Sequence, residues 1–322
     1  MIATKGISNH KISETPIAVI DFETTGLTPG FDRVVEISVF KKEPNKCPYL
    51  AFDTLVNPQR PVSATEIHGI TDEDVKTAPT FNDIAGNFVD TLSGCVVAAY
   101  NVYFDIKFLE CELQQTGVSS LPPHFCLMYM RPLLNLGQRC NLETACREHG
   151  INFNNQTAHI AASDAEASAK LMEYYLNVLS DRKISTFGQL SHLKSYKFLN
   201  SFIYTPLPKA ESFNLRKSEK FLSRANYKPP VLDPEKQALI EYWDSLRSVL
   251  ADLDITEQEL KYILDIRRKI QLPKEKIRML HAKAFTAIIS QFISDKTLDD
   301  KEVLKLRRLF QCLSKLGWAP GE

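Results

Sequence analysis

Residues 16–26 read Pro16-Ile17-Ala18-Val19-Ile20-Asp21-Phe22-Glu23-Thr24-Thr25-Gly26. An apolar, β-branched run ends in two carboxylates and is then broken by Thr-Thr-Gly, which predicts a strand over 16–23. Residues i and i+2 of a strand share a face. Asp21 and Glu23 therefore project together, and Phe22 turns toward the core. Two adjacent carboxylates repel one another, and a divalent cation relieves the repulsion. The same spacing is common on plain surface strands, so its meaning depends on what the rest of the chain brings to it.

Outward from this strand, the chain alternates. Further strands are predicted over 34–40, 51–56 and 96–100, and helices over 80–92, 105–115, 141–149 and 165–179. Ile106, Leu109 and Leu113 share one face of the 105–115 helix, and Gly94, Gly117 and Gly150 follow helix ends. This alternation predicts a mixed-sheet α/β domain over 15–180, preceded by a flexible tail over 1–14. Asp105 heads its helix, where a carboxylate suits the helix dipole. His159 and Asp164 stand five residues apart, which is not a same-face helical spacing. His159 is therefore expected in the loop before the last helix, a position that suits a general base.

Together the segments Asp21-Phe-Glu-Thr-Thr-Gly26, Asn101-Val-Tyr-Phe-Asp105 and His159-Ile-Ala-Ala-Ser-Asp-Ala165 resemble the DEDDh exonucleases, the group of the DnaQ-like, epsilon-type proofreading subunits. Ile67-His68-Gly69-Ile70-Thr71, followed by Ala78-Pro79-Thr80-Phe81, is similar to the loop those enzymes carry between their first two motifs. The resemblance covers about residues 15–180. It implies a ribonuclease H-like fold with a five-stranded mixed sheet and 3′–5′ hydrolysis of phosphodiester bonds. It also implies two divalent cations, Mg²⁺ or Mn²⁺, held by Asp21, Glu23, Asp105 and Asp164, with His159 as general base. Thr24, Thr25, Gly26, His68, Asn101 and Phe104 are the implied substrate contacts. Many relatives have His before the Asn of the second motif, where this chain has Tyr100, a position outside the five catalytic ones.

Composition agrees with such an enzyme. The chain has 322 residues, 44 % hydrophobic and 24 % charged, as in globular proteins rather than disordered ones. No apolar run reaches the roughly 18–20 residues that span a bilayer, and residues 1–16 lack the apolar core of a signal peptide. The seven cysteines are scattered without a Cys-x-x-Cys pair, so free thiols are expected. These features predict a cytoplasmic protein with no membrane partner. The net charge of zero is unevenly spread: −8 over 1–180, +7 over 181–232 and +1 over 233–322. The middle stretch interleaves its cations with aromatic residues and prolines and is read as an irregular connector. Two roles stay open for it: a path for a single strand, or a linker lying against the acidic domain.

The pattern from 233 onward is helical, with helices expected over 234–252, 256–270, 274–294 and 299–316. Leu239, Trp243, Leu246 and Leu250 are the expected core. Thr256-x-x-Glu259 is a capping box. Ile255, Leu260, Ile263 and Ile266 correspond to Leu298, Val303, Leu306 and Leu309 at a constant offset of 43. The acidic turns at 252–256 and 295–300, each followed by an acidic helix start, resemble a TerB-like helical module. This segment is the candidate for a protein partner or for self-association. Nucleic acid is the expected substrate, DNA ahead of RNA. An RNA 3′-end trimmer and a nuclease effector recruited through its tail in a defence system are the alternatives.

Overall fold

A computed structural model describes residues 6–154, 157–225, 227, 233–251, 253–292 and 300–319. Five strands, β1 (Ile17–Thr24), β2 (Val34–Lys42), β3 (Tyr49–Leu55), β4 (Val96–Ala99) and β5 (His124–Cys126), form one sheet in the order β3-β2-β1-β4-β5. β1 pairs antiparallel with β2 and parallel with β4; β3 extends the antiparallel edge and β5 the parallel one. This is a mixed five-stranded sheet, as the resemblance implies. β1 lies at its centre because its apolar residues can be buried on both faces: Ile17, Ala18, Val19 and Ile20 are all essentially inaccessible.

Two short helices, α1 (Thr65–His68) and α2 (Asp72–Val75), precede α3 (Phe81–Leu92). They are followed by α4 (Val102–Gln115), α5 (Leu127–Leu133), α6 (Leu142–Glu148) and α7 (Ala161–Asp181), which packs across β1 and β2. Thr80 and Asp83 close a reciprocal capping box that fixes the start of α3. α4 begins three residues and α7 four residues earlier than periodicity suggested. Asp105 and Asp164 therefore sit inside first turns. β5 has no counterpart among the expected elements.

Residues 181–225 depart from the irregular connector expected over 181–232. They form α8 (Phe187–Ser191) and two 3₁₀ helices, Lys197–Ile203 and Ala210–Phe213. Phe187, Leu190, Phe198, Phe202 and Leu207 join the main core. Gly86 of α3 donates to the Arg216 carbonyl at 2.7 Å, and a Cβ there would collide with that oxygen. Tyr204, Phe221 and Tyr227 do remain exposed. Lys228, Pro229 and Pro230 lie outside the described residues, as do residues 1–5 of the expected tail. Residues 6–14 are fastened rather than loose. Ile7 is buried and donates to Phe202 O at 2.8 Å, and Ile12 donates to Ser185 O at 2.9 Å.

The remaining helices, α9 (Pro234–Leu250), α10 (Glu257–Ile270), α11 (Lys274–Phe292) and α12 (Asp300–Lys315), gather around a second core that includes Trp243, Leu246, Leu250, Ile263 and Leu309; Leu239 is partly buried against it. Asp252 and, of the second acidic turn expected over 295–300, residues 295–299 with Leu298 among them lie outside the described residues. The repeat is imperfect where it can be followed, because Val303 is 50 % exposed whereas Leu260 packs against the core. Among the described residues, no helix is long and apolar enough to cross a membrane.

Candidate active site

The central strand ends at a cavity of about 140 Å³. Asp21 and Glu23 reach it from β1, side by side as the strand period requires. Asp105 arrives from the first turn of α4. Its Oδ1 accepts from the Phe22 amide at 3.2 Å, which ties the start of the helix to the strand. Asp164 arrives from the first turn of α7, and its Oδ2 accepts from the His159 amide at 3.0 Å. His159 itself holds a left-handed conformation, φ 61°, in the turn before α7. That conformation is costly for most side chains and less so for His. The turn brings the imidazole back over β1, with Nδ1 3.8 Å from Glu23 Oε1.

Burial and mutual repulsion disfavour ionised carboxylates here. Burial is the main cause that raises Asp21 well above the ordinary range, followed by the charges of Asp164, Asp105 and Glu23. Glu23 is raised to about 8 by burial, in spite of the His159 charge. Asp105 is raised to about 7 by burial, with Arg247 opposing. Asp164 is raised to about 6 by burial, with His159 opposing. For His159, burial works against the charged ring, but Asp244, Glu23 and Asp164 outweigh it and lift the ring to about 10.

A group of oxygens with raised pKa values calls for compensating positive charge. One ligand atom each from Glu23, His159 and Asp164 lies within 4.8 Å of the others. Asp164 Oδ1 is buried with no hydrogen-bond partner. Hard divalent cations prefer oxygen donors of this kind, so the residues present fit a metal site. The tight geometric group contains His159 and leaves out Asp21 and Asp105, which line the same cavity.

Thr24, Gly26, His68, Asn101 and Phe104 also line the cavity, whereas Thr25 does not. The Thr25 hydroxyl donates to Asp32 Oδ1 at 3.0 Å and accepts from the Arg33 amide, bracing the turn after β1. Gly26 lies so close to the Asp32 carboxylate that a Cβ would come within 2.5 Å of it. Burial depresses His68 to about 4, so its ring is neutral. Its Nδ1 accepts from the Ile70 amide, which leaves Nε2 to donate to Thr24 O at 3.2 Å. Tyr100 lines the cavity too, and its hydroxyl donates to Cys140 O at 2.7 Å.

Four further charged residues carry no sign of this site in their local sequence, or only a faint one. Glu36 pairs in register with Glu23 across β2, fully buried. Burial raises it to about 7, against the Arg224 guanidinium 3.5 Å away. Its interruption of the apolar run Val34-Val35-Glu36-Ile37 was the one available signal. Asp244 and Arg247 come from α9, and Lys283 from α11. Asp244 Oδ2 is 3.1 Å from His159 Nε2, and the Arg247 guanidinium lies 4.6 Å over the Phe104 ring. The helical tail thus forms one wall of the cavity.

A family model described as an exonuclease matches residues 18–172. A DNA polymerase III subunit epsilon of Rickettsia felis is 31 % identical over 173 residues, 51 % of this chain and 74 % of that protein. The subunit of the same name from Rickettsia conorii is 29 % identical over 220 residues, 64 % of this chain and 94 % of that protein. A DNA polymerase III subunit epsilon-like protein of Rhodobacter capsulatus is 32 % identical over 187 residues; the match spans 55 % of this chain but 27 % of that longer protein.

Proposed function

The chain belongs to the DEDDh, DnaQ-like family of 3′–5′ exonucleases, and on that premise we propose that it removes nucleotides from the 3′ end of DNA, single-stranded or frayed, as nucleoside 5′-monophosphates. The observation that carries this reading is the convergence of Asp21, Glu23, Asp105, Asp164 and His159, from three separate stretches of sequence, on one cavity. Relatives that are named as subunits of a DNA polymerase favour DNA over RNA.

Asp21, Glu23, Asp105 and Asp164 would hold two divalent cations, Mg²⁺ or Mn²⁺. Such ions supply Lewis-acid charge beside the phosphate and lower the pKa of a neighbouring water. His159 accepts the proton of the attacking water. The water oxygen bonds to phosphorus, the P–O3′ bond breaks, and the departing O3′ takes a proton from solvent, so that the shortened strand ends in a 3′-hydroxyl. Asp244, Glu23 and Asp164 favour the charged ring; cations held by Glu23 and Asp164 would offset two of those charges and would leave Nδ1, 3.8 Å from Glu23 Oε1, to accept. Arg247, seated over the Phe104 ring, and Lys283, paired with Glu66, line the same cavity and would supply positive charge toward the phosphate. Thr24, Gly26, His68 and Asn101 shape the pocket around the terminal nucleotide.

The test is a 5′-labelled single strand incubated with Mg²⁺ or Mn²⁺, beside a matched RNA strand. The wild-type chain should shorten the DNA strand from its 3′ end, faster than the RNA. Asp21→Ala and Asp164→Ala should leave only the background without enzyme. Robust degradation by either variant refutes the assignment, and preference for the RNA strand moves it to the exoribonuclease alternative.

A further inference from the structure

We propose that Asp244, on the first helix of the C-terminal unit, is the positioning residue of His159. It grips the ring through Nε2, so that Nδ1 is the nitrogen presented to the attacking water. The proposal rests on the reading of His159 as the general base.

The nuclease portion fixes the backbone of His159 but not its ring. The left-handed turn sets its Cα, and its amide is engaged by Asp164 Oδ2 at 3.0 Å. Among the described residues, the one hydrogen bond made by the imidazole is from Nε2 to Asp244 Oδ2, at 3.1 Å across 85 residues of sequence. Nδ1, the other nitrogen of the ring, lies 3.8 Å from Glu23 Oε1, facing the carboxylate group. A proton placed on one ring nitrogen by a carboxylate leaves the other as the acceptor, and the same contact fixes the plane of the ring.

Asp244 is itself held in place. The next residue, Ser245, is buried, and its Oγ accepts from Asn141 Nδ2 at 3.3 Å. Asn141 also caps α6, its Oδ1 accepting from the Thr144 amide at 2.9 Å. On the other side, Trp243 is buried in the second core and lines the cavity wall. The carboxylate therefore stands on a helix anchored on both flanks, one link of which reaches the nuclease portion directly. The opposite reading of the same contact is a plug. A carboxylate bound to the base would then block it, and would add negative charge where a phosphate must enter.

The experiment uses the full chain and a 5′-labelled single strand with Mn²⁺ or Mg²⁺. Wild-type activity that is lost in Asp21→Ala is established first; without it the nuclease reading fails, and the claim about Asp244 fails with it for a separately visible reason. Given that activity, Asp244→Asn and Asp244→Ala should lower kcat by about 10–100-fold, the range typical for removing the hydrogen-bond partner that orients a metal-bound histidine. KM should be unchanged. Asp244→Glu should recover part of the loss. On a His159→Ala background, Asp244→Asn should have no further effect, because two residues acting as one unit are not additive. A kcat that is unchanged or raised, as removal of a plug would give, overturns the proposal. So does an equal loss on the His159→Ala background, which a general weakening of the fold would produce.

Discussion

At the scale of single residues, the site holds charge under strain. Glu23, Asp105 and Asp164 are raised to about 8, 7 and 6 from ordinary carboxylate values. Raised carboxylates contribute stability that is fully present below their unfolded pKa values and is lost as pH rises through the folded ones. His159, raised to about 10, acts with the same sign, its contribution being lost as pH rises through that value. The chelated protein should therefore show a falling Tm from about pH 5 to about pH 9. Mn²⁺ should raise Tm more at the upper end than at the lower, because it binds the ionised form. Calorimetry across that range checks both; a flat profile and an equal metal effect at both ends would contradict the compensation argument. The same residues explain what could be read in advance. Asp21 and Glu23 advertise themselves through the strand period, and Asp105, His159 and Asp164 through the segments around them. Asp244 and Arg247 look like ordinary polar positions of an amphipathic helix, because what makes them special is a contact made far away in sequence.

At the scale of elements, the seam between the nuclease portion and the tail is held by a buried ion pair. Arg139 Nε is 2.7 Å from Glu259 Oε1, and both side chains are almost wholly buried. Arg139 also donates to Tyr129 Oη at 3.0 Å and to Asp254 O at 3.2 Å. The other oxygen of Glu259 closes the capping box of α10 with Thr256. Removing one partner of such a pair leaves a buried charge uncompensated and costs about 3–5 kcal/mol. Arg139→Ala should therefore move the urea midpoint of the tail helices down by a corresponding amount, and Glu259→Ala likewise. A shift of less than about 1 kcal/mol would put the pair in the class of surface bridges. Of these features the capping box was legible and its second partner was not. Helix existence was legible from periodicity, and most starts to within a residue; the starts of α4 and α7 fall three and four residues before the expected ones, because the expected helices begin at or just after the carboxylates Asp105 and Asp164 that sit inside their first turns. β5 escaped because three residues after Pro122-Pro123 are too few to show a period.

At the scale of the whole molecule, the boundary at residue 180 drawn from the sequence is not a boundary of the core. Phe187, Phe198 and Phe202 are sealed into the same cluster as β1 and β4, and Ile7 with them. Burying one such aromatic contributes about 1.5–3 kcal/mol. A chain ended at residue 180 should fail to unfold cooperatively, whereas one ended at residue 225 should melt as a single transition by circular dichroism. Equal cooperativity in the two would mean that residues 181–225 only coat the surface. Their mixture of lysine and aromatic residues hid this packing, because aromatic residues look alike in a binding strip and in a core until their neighbours are known. The hydrogen bond from His159 to Asp244 has a consequence for how such a chain can be inherited. If its ring depends on a carboxylate encoded 85 residues downstream, the nuclease portion and the tail cannot be shuffled like independent parts. A recombination event that supplied a new tail would have to bring an acid to the same place, or leave behind a complete set of nuclease motifs that works poorly.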